Sequence, residues 1–125
     1  MEKHPVGKTG QQGFTLIEII AVLVILGILA VTAVPKYFDL QDKAREQAAK
    51  GLVSAAQSQL SLGYANSKLN SDYTFTSSAD ECAKVAVSGN ASITCTGGLP
   101  AGPVAITGRV DGIDNTGSWN SPEEQ

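Results

Sequence analysis

The chain has 125 residues, 12 acidic and 9 basic, for a formal net charge of −3. One small domain plus a helix exhausts that length, and a mildly acidic balance argues against non-specific nucleic-acid binding. Two cysteines, Cys82 and Cys95, and a single histidine near the start, His4, leave too few ligands to complete a zinc sphere.

Residues 1–13 form a short polar leader holding Glu2, Lys3 and Lys8, with His4 read as a solvated residue. Basic residues ahead of an apolar run orient the chain with its start inside and its bulk translocated. Removing the leader would leave 7 basic and 11 acidic residues, a net charge of −4.

The run that follows, GFTLIEIIAVLVILGILAVTAVP over residues 13–35, dominates the sequence. From Phe14 to Val34 it carries one charge, Glu18. As a helix rising about 1.5 Å per residue it reaches ~31 Å, enough to cross a hydrocarbon core. A carboxylate near the start of such a helix costs at least ~2.5 kcal/mol unless something answers it. Two plain readings compete: a simple anchor with Glu18 at the interface, and a secretory signal cleaved after Ala33, at Val31-Thr32-Ala33. The second would release a secreted binding or enzymatic domain. Against it, the apolar run exceeds the usual length of about 7 to 15 residues and contains Glu18.

Gly27 and Pro35 lie toward the end of the run. Glycine lowers helix propensity by about 1 kcal/mol, and proline removes a backbone hydrogen bond, so residues 27–35 are expected to bend or loosen. From residue 36 to 66 the pattern stays helical and turns amphipathic. Leu40, Ala44, Ala48, Leu52, Ala56, Leu60 and Tyr64 recur every four residues, with Tyr37, Ala55 and Leu62 beside them. This stripe is expected to be the core face of the domain, its alanines allowing close approach.

Residues 67–125 are rich in Gly, Ser, Thr, Asn and Pro. Ser78-Ala79-Asp80-Glu81 fits a capping box, predicting a short helix through Cys82 to about Ala86; a strand over Ala83 to Val87 is the alternative. Ala91 to Thr96 and Pro103 to Thr107 read as strands, the latter pairing with a segment near Arg109 to Ile113. The expected class is α+β, a long helix packed on a small antiparallel sheet. Two cysteines in a translocated domain most simply form a disulfide, closing a loop of 14 residues worth about 3 kcal/mol. Trp119 fits core or surface equally. Asn90-Ala91-Ser92 matches a short glycosylation sequon, a pattern frequent by chance.

GFTLIE after a short basic leader, followed by about 16 apolar residues, resembles the processing motif of type IV pilins and related pseudopilins. More narrowly, ILGILAVTAVPKYFDLQDKAR is similar to pilins of the mannose-sensitive haemagglutinin type. The resemblance implies that a prepilin peptidase cuts between Gly13 and Phe14 and methylates the new amine on Phe14. Glu18 then corresponds to the assembly glutamate, while Gly27 and Pro35 take helix-weakening positions that loosen in a fibre. Implied partners are other copies of the chain, an assembly ATPase with its inner-membrane platform, and an outer-membrane secretin in a Gram-negative cell. The implied location is the inner membrane for the precursor and the cell surface for the filament, or the periplasm for a pseudopilin of type II secretion.

The physics of the motif agrees. A positive amine at Phe14 and the Glu18 carboxylate are both costly in an apolar bundle, so pairing between copies would fix axial register. Within one chain the two stand four residues apart, on one helix face. Some pseudopilins bind calcium near their C-terminus, which makes Asp111 and Asp114 weak calcium candidates; turn chemistry explains Asp111-Gly112-Ile113-Asp114-Asn115 equally well. Thirty residues follow Cys95, whereas many pilins place the second cysteine close to the end, so the adhesive role of that loop does not carry over directly. No G-x-S-x-G, P-loop, G-x-G-x-x-G or Cys/His pair is present, and neither an enzyme nor a cofactor is expected.

Overall fold

A computed structural model describes residues 13–100 and 102–124; the leader residues 1–12, with His4, lie outside them. Helix α1 runs Leu16–Leu69 and α2 Ser78–Ala83, followed by strands β1 (Ala91–Gly97), β2 (Val104–Val110) and β3 (Ile113–Trp119) and a 3-10 turn at Pro122–Glu124. The chain divides into two compact units between Asp39 and Leu40.

In the first unit α1 is apolar on all sides. Leu16 (78% exposed), Leu23 (62%), Ile28 (62%) and Val31 (75%) show that no one face is sheltered. A helix this long and apolar meets the length and composition requirements for crossing a membrane. Gly27 and Pro35 both lie inside α1.

The second unit holds the core. Here α1 turns one face inward through Ala49, Val53, Ala56, Leu60 and Gly63. That face departs from the stripe expected from sequence. Ala56 and Leu60 belong to it, but Leu40 (67% exposed), Ala44, Ala48 and Leu62 (55%) do not, and Leu52 and Tyr64 are half-buried. A strict step of four residues advances about 40° beyond a full turn each time, so such a stripe winds around the helix. The buried set alternates steps of four and three and stays on one side.

Strands β1, β2 and β3 form one antiparallel sheet in that order. Alternation sends Cys95, Val104, Ile106, Gly108 and Trp119 toward α1, while Ser92, Thr94, Thr96, Ala105, Arg109, Thr116 and Ser118 face solvent. The helix approaches very closely at two glycines. A Cβ on Gly108 would lie 2.6 Å from the Ala49 carbonyl oxygen, and one on Gly117 would lie 2.5 Å from Val53 Cγ1. Val53, Leu60, Phe75, Ile106 and Trp119 fill the core around this approach. Trp119 is thus a core residue. Its ring meets Phe75 edge-on with centroids 6.0 Å apart, and its Nε1–H donates to Ser61 Oγ at 2.9 Å.

Strand and helix ends differ from expectation for local reasons. The third strand begins at Ile113, because Val110 pairs with Ile113 across a two-residue turn. Asp111 (φ 49°) and Gly112 (φ 84°) both adopt left-handed backbone there, the geometry of a tight type I′ hairpin. The cap of α2 is Ser77, one residue earlier than expected. Its hydroxyl accepts from the Asp80 N–H at 3.2 Å, which frees Ser78 to donate to the Gly97 carbonyl. The helix stops at Ala83, ahead of two valines with low helix propensity, and no strand forms over residues 83–87. At the other end of the long helix, α1 continues three residues past the expected Asn66. It stops where the Asn70 side chain accepts from the Asp72 N–H.

Glycines 51 and 63 make opposite predictions. A Cβ on Gly51 meets nothing within 4 Å, while one on Gly63 would lie 2.6 Å from Glu81 Oε2 and 2.8 Å from Phe75 Cε2. Gly51→Ala is expected to stabilise the second unit by about 1 kcal/mol through helix propensity. Gly63→Ala is expected to destabilise it by ~1–3 kcal/mol through overpacking. Thermal melts read by Trp119, the sole tryptophan, check both signs.

Candidate functional site

The start of α1 is built by three consecutive features. Gly13 and Phe14 precede the helix, Thr15 caps it, and Glu18 occupies its third position. The Thr15 N–H donates to Glu18 Oε2 at 3.1 Å, and the Glu18 N–H donates to Thr15 Oγ1 at 3.3 Å. This reciprocal pair is a capping box, satisfying two of the donors that every helix start leaves open. The only charge in the apolar stretch is therefore answered within its own chain. T-x-x-E ahead of an apolar run is the sequence pattern that signals this cap. Thr32, the other polar side chain in the run, donates to the Leu29 carbonyl at 2.9 Å.

The second unit holds the remaining candidates. Cys82 and Cys95 form a disulfide joining α2 to β1, with Cα atoms 6.3 Å apart and both residues buried. Next to it stands a buried carboxylate. Glu81, 2% exposed, accepts from Tyr73 Oη at 2.6 Å, Lys84 Nζ at 2.7 Å and Gln59 Nε2 at 3.1 Å. Burial pushes its carboxyl up, but hydrogen bonds from Lys84, Tyr73 and Gln59 together outweigh that and hold it below the usual carboxylate range. Rather than closing the capping box that its spacing from Ser78 predicts, Glu81 fastens α2 and the preceding loop to α1.

Asp111 and Asp114 lie close together in sequence but answer different cations. Asp111 accepts from Asn90 Nδ2 at 3.0 Å and faces Arg45 Nε at 3.6 Å. Asp114 receives both Nε and Nη2 of Arg109, the latter at 2.9 Å. This fork holds the Asp114 carboxyl below its ordinary value. Among the described residues no group of three or more His, Cys, Asp or Glu side chains is arranged to hold a metal ion. Asn90, the first residue of the sequon, is exposed in the turn before β1.

A long N-terminal helix packed on a three-stranded antiparallel sheet is a pilin-like α+β fold. Residues 8–34 match the family model of the prokaryotic N-terminal methylation motif, the class III signal of type IV prepilins. The motif indicates a prepilin-type substrate of the type IV pilin and pseudopilin kind and implies processing by a prepilin peptidase. An apolar helix behind that signal fits a membrane-anchored precursor. No curated protein and no solved structure matches the chain.

Glu81 sets the expected acid response. Its folded carboxyl titrates below the unfolded value of about 4.3, so the stability it confers is complete above that pH and is lost as pH falls through the folded value. The melting temperature should therefore drop below about pH 4.3. Glu81→Gln, which keeps an amide acceptor in place, should flatten the drop; an unchanged slope would assign it to other carboxylates, such as the Arg109-paired Asp114.

Proposed function

We propose that this chain is the precursor of a structural subunit of a type IV pilus-like filament, serving surface functions of the adhesion or motility type. Cleavage falls between Gly13 and Phe14, and Phe14 becomes the N-methylated first residue. Residues 14–35 form the assembly segment, first held in the membrane and then buried among other copies. Gly27 and Pro35 give that segment its capacity to loosen in the fibre. The observation carrying this reading is an apolar helix that begins at the processing motif and exposes large side chains in every direction, with one carboxylate at its head.

The energetics favour polymerisation. Every apolar side chain that leaves lipid or water for a bundle of sister helices is packed, and burial contributes roughly 25 cal/mol per Å² where water is displaced. Apolar contact alone does not set register, because a smooth apolar surface can slide. A terminal amine on one copy and Glu18 on another would set it, since either charge left alone in the bundle is costly. The compact, disulfide-closed second unit favours a pilus subunit over a secretion pseudopilin, and the stretch through Arg45 supports the mannose-sensitive haemagglutinin type. Assembly on these terms needs the peptidase, an ATPase-driven inner-membrane platform and, in a Gram-negative envelope, a secretin.

Mass spectrometry of the mature chain is expected to show N-methylphenylalanine at position 14. A chain starting at Val34 would instead mean release by signal peptidase and would end the filament reading. Glu18→Ala is expected to cut surface filaments at least tenfold, the loss of a buried pair being worth ~3–5 kcal/mol. The melt reported by Trp119 should stay at the parental temperature, because Glu18 belongs to the other unit.

A further inference from the structure

Helix α2 has six residues, too few to hold a helix alone, and its buried face consists of Ser78, Glu81 and Cys82. Spacings of three and four put these on one side of the helix. Each of them makes a tie to another element. Ser78 Oγ donates to the Gly97 carbonyl at 3.1 Å, next to a backbone bridge between Ser77 and Gly98. Glu81 accepts from Gln59 of α1 and from Tyr73 of the preceding loop. Cys82 is bonded to Cys95. The first two ties use no sulfur atom, so they are open to the chain before any disulfide exists.

We infer that the Ser78 and Glu81 ties form a template that lines up the two thiols before the disulfide closes, so that each chain oxidises within itself and not with a neighbour. From Ser78 to Cys82 is about one helical turn, a rise of ~6 Å. From Gly97 back to Cys95 is two strand residues, a rise of ~6.6 Å. With Ser78 pinned to Gly97, these matched rises set Cys82 opposite Cys95, their Cα atoms 6.3 Å apart. Glu81, adjacent to Cys82, fixes the roll of the helix by holding against α1, where Gly63 leaves room for its carboxylate. Two cysteines allow no wrong pair within one chain. The competing reaction is a bond between chains anchored side by side in a membrane. Alignment raises the effective concentration of one thiol at the other above that offered by a neighbour. This holds whether or not the chain goes on to polymerise.

The test supplies oxidised glutathione to the full chain, reduced in detergent. One cysteine thiolate displaces a glutathione and forms a mixed disulfide; the other attacks the protein-side sulfur and releases the second glutathione. The two thiols thereby lose two electrons and two protons, which leave in the two glutathione thiols. The intramolecular step is timed in native buffer and in concentrated guanidinium chloride. Native closure is expected to be about tenfold faster or more. Ser78→Ala and Tyr73→Phe should each slow it about fivefold, the weight of one hydrogen bond, and only in native buffer. The second variant lies outside both α2 and β1, so it still reads the template if the first disturbs folding. In cell membranes both variants should carry more disulfide-linked dimer than the parent on non-reducing gels. With Cys82→Ser and Cys95→Ser combined, the Lys84 and Val85 amides, which donate to the carbonyls of residues 81 and 82, should still exchange more slowly than in denaturant. Native closure no faster than denatured closure would overturn the inference. So would parental closure rates or parental dimer levels in both variants, or unprotected amides in the doubly substituted chain.

Discussion

A carboxylate cannot be left bare at the head of an apolar helix, and that constraint organises the first unit. Glu18 is the only charge between Phe14 and Val34. Its own chain answers it through Thr15, one turn back, with bonds that also cap the helix. The remainder of the segment offers only dispersion and apolar surface, which drive association without direction. Direction has to come from the few polar groups present, and all but Thr32 cluster at the helix start. On the filament reading proposed above, a cut that creates a cation beside this group would convert a local capping problem into a means of recognition between copies.

The second unit solves a different problem, making a stable core from few large residues. Glycines at 108 and 117 let the sheet approach α1 until Val53 nearly touches backbone. Gly63 likewise makes room on the helix for Glu81 and Phe75. Close approach increases dispersion contact per residue, and the aromatic group of Tyr64, Phe75 and Trp119 fills what remains. The disulfide and the Glu81 cluster then fasten α2, an element of six residues that has no large buried apolar face of its own.

Much of this was legible in the sequence, but unevenly. The apolar helix, its continuation as one long element, the disulfide and the α+β class all follow from composition and periodicity. A stripe in steps of four drifts off the true inner face of α1, whose period is about 3.6, so Leu40, Ala44 and Ala48 lie outside it; Leu62, expected beside that stripe, is exposed as well. Strand β3, IDNTGSW, has only Ile113 and Trp119 as large apolar residues and puts a glycine against Val53, so there was little alternation to read. Its position follows from Asp111-Gly112, a two-residue hairpin signal between Val110 and Ile113. The Glu81 cluster depends on contacts between residues 59, 73, 81 and 84, which no single-sequence pattern exposes. The role of Thr15 is a matter of spacing alone, T-x-x-E at the head of an apolar run.

The solvent face of the sheet has a separate consequence. Ser92, Thr94, Thr96, Ala105, Thr116 and Ser118 lie in register across three strands, and their side chains contribute nothing to the core. Polar residues that fit a pleated surface can replace one another there at little energetic cost. Substitutions on that face are therefore expected to leave the fold almost untouched, whereas the opposite face of the same strands is held by its contacts with the helix.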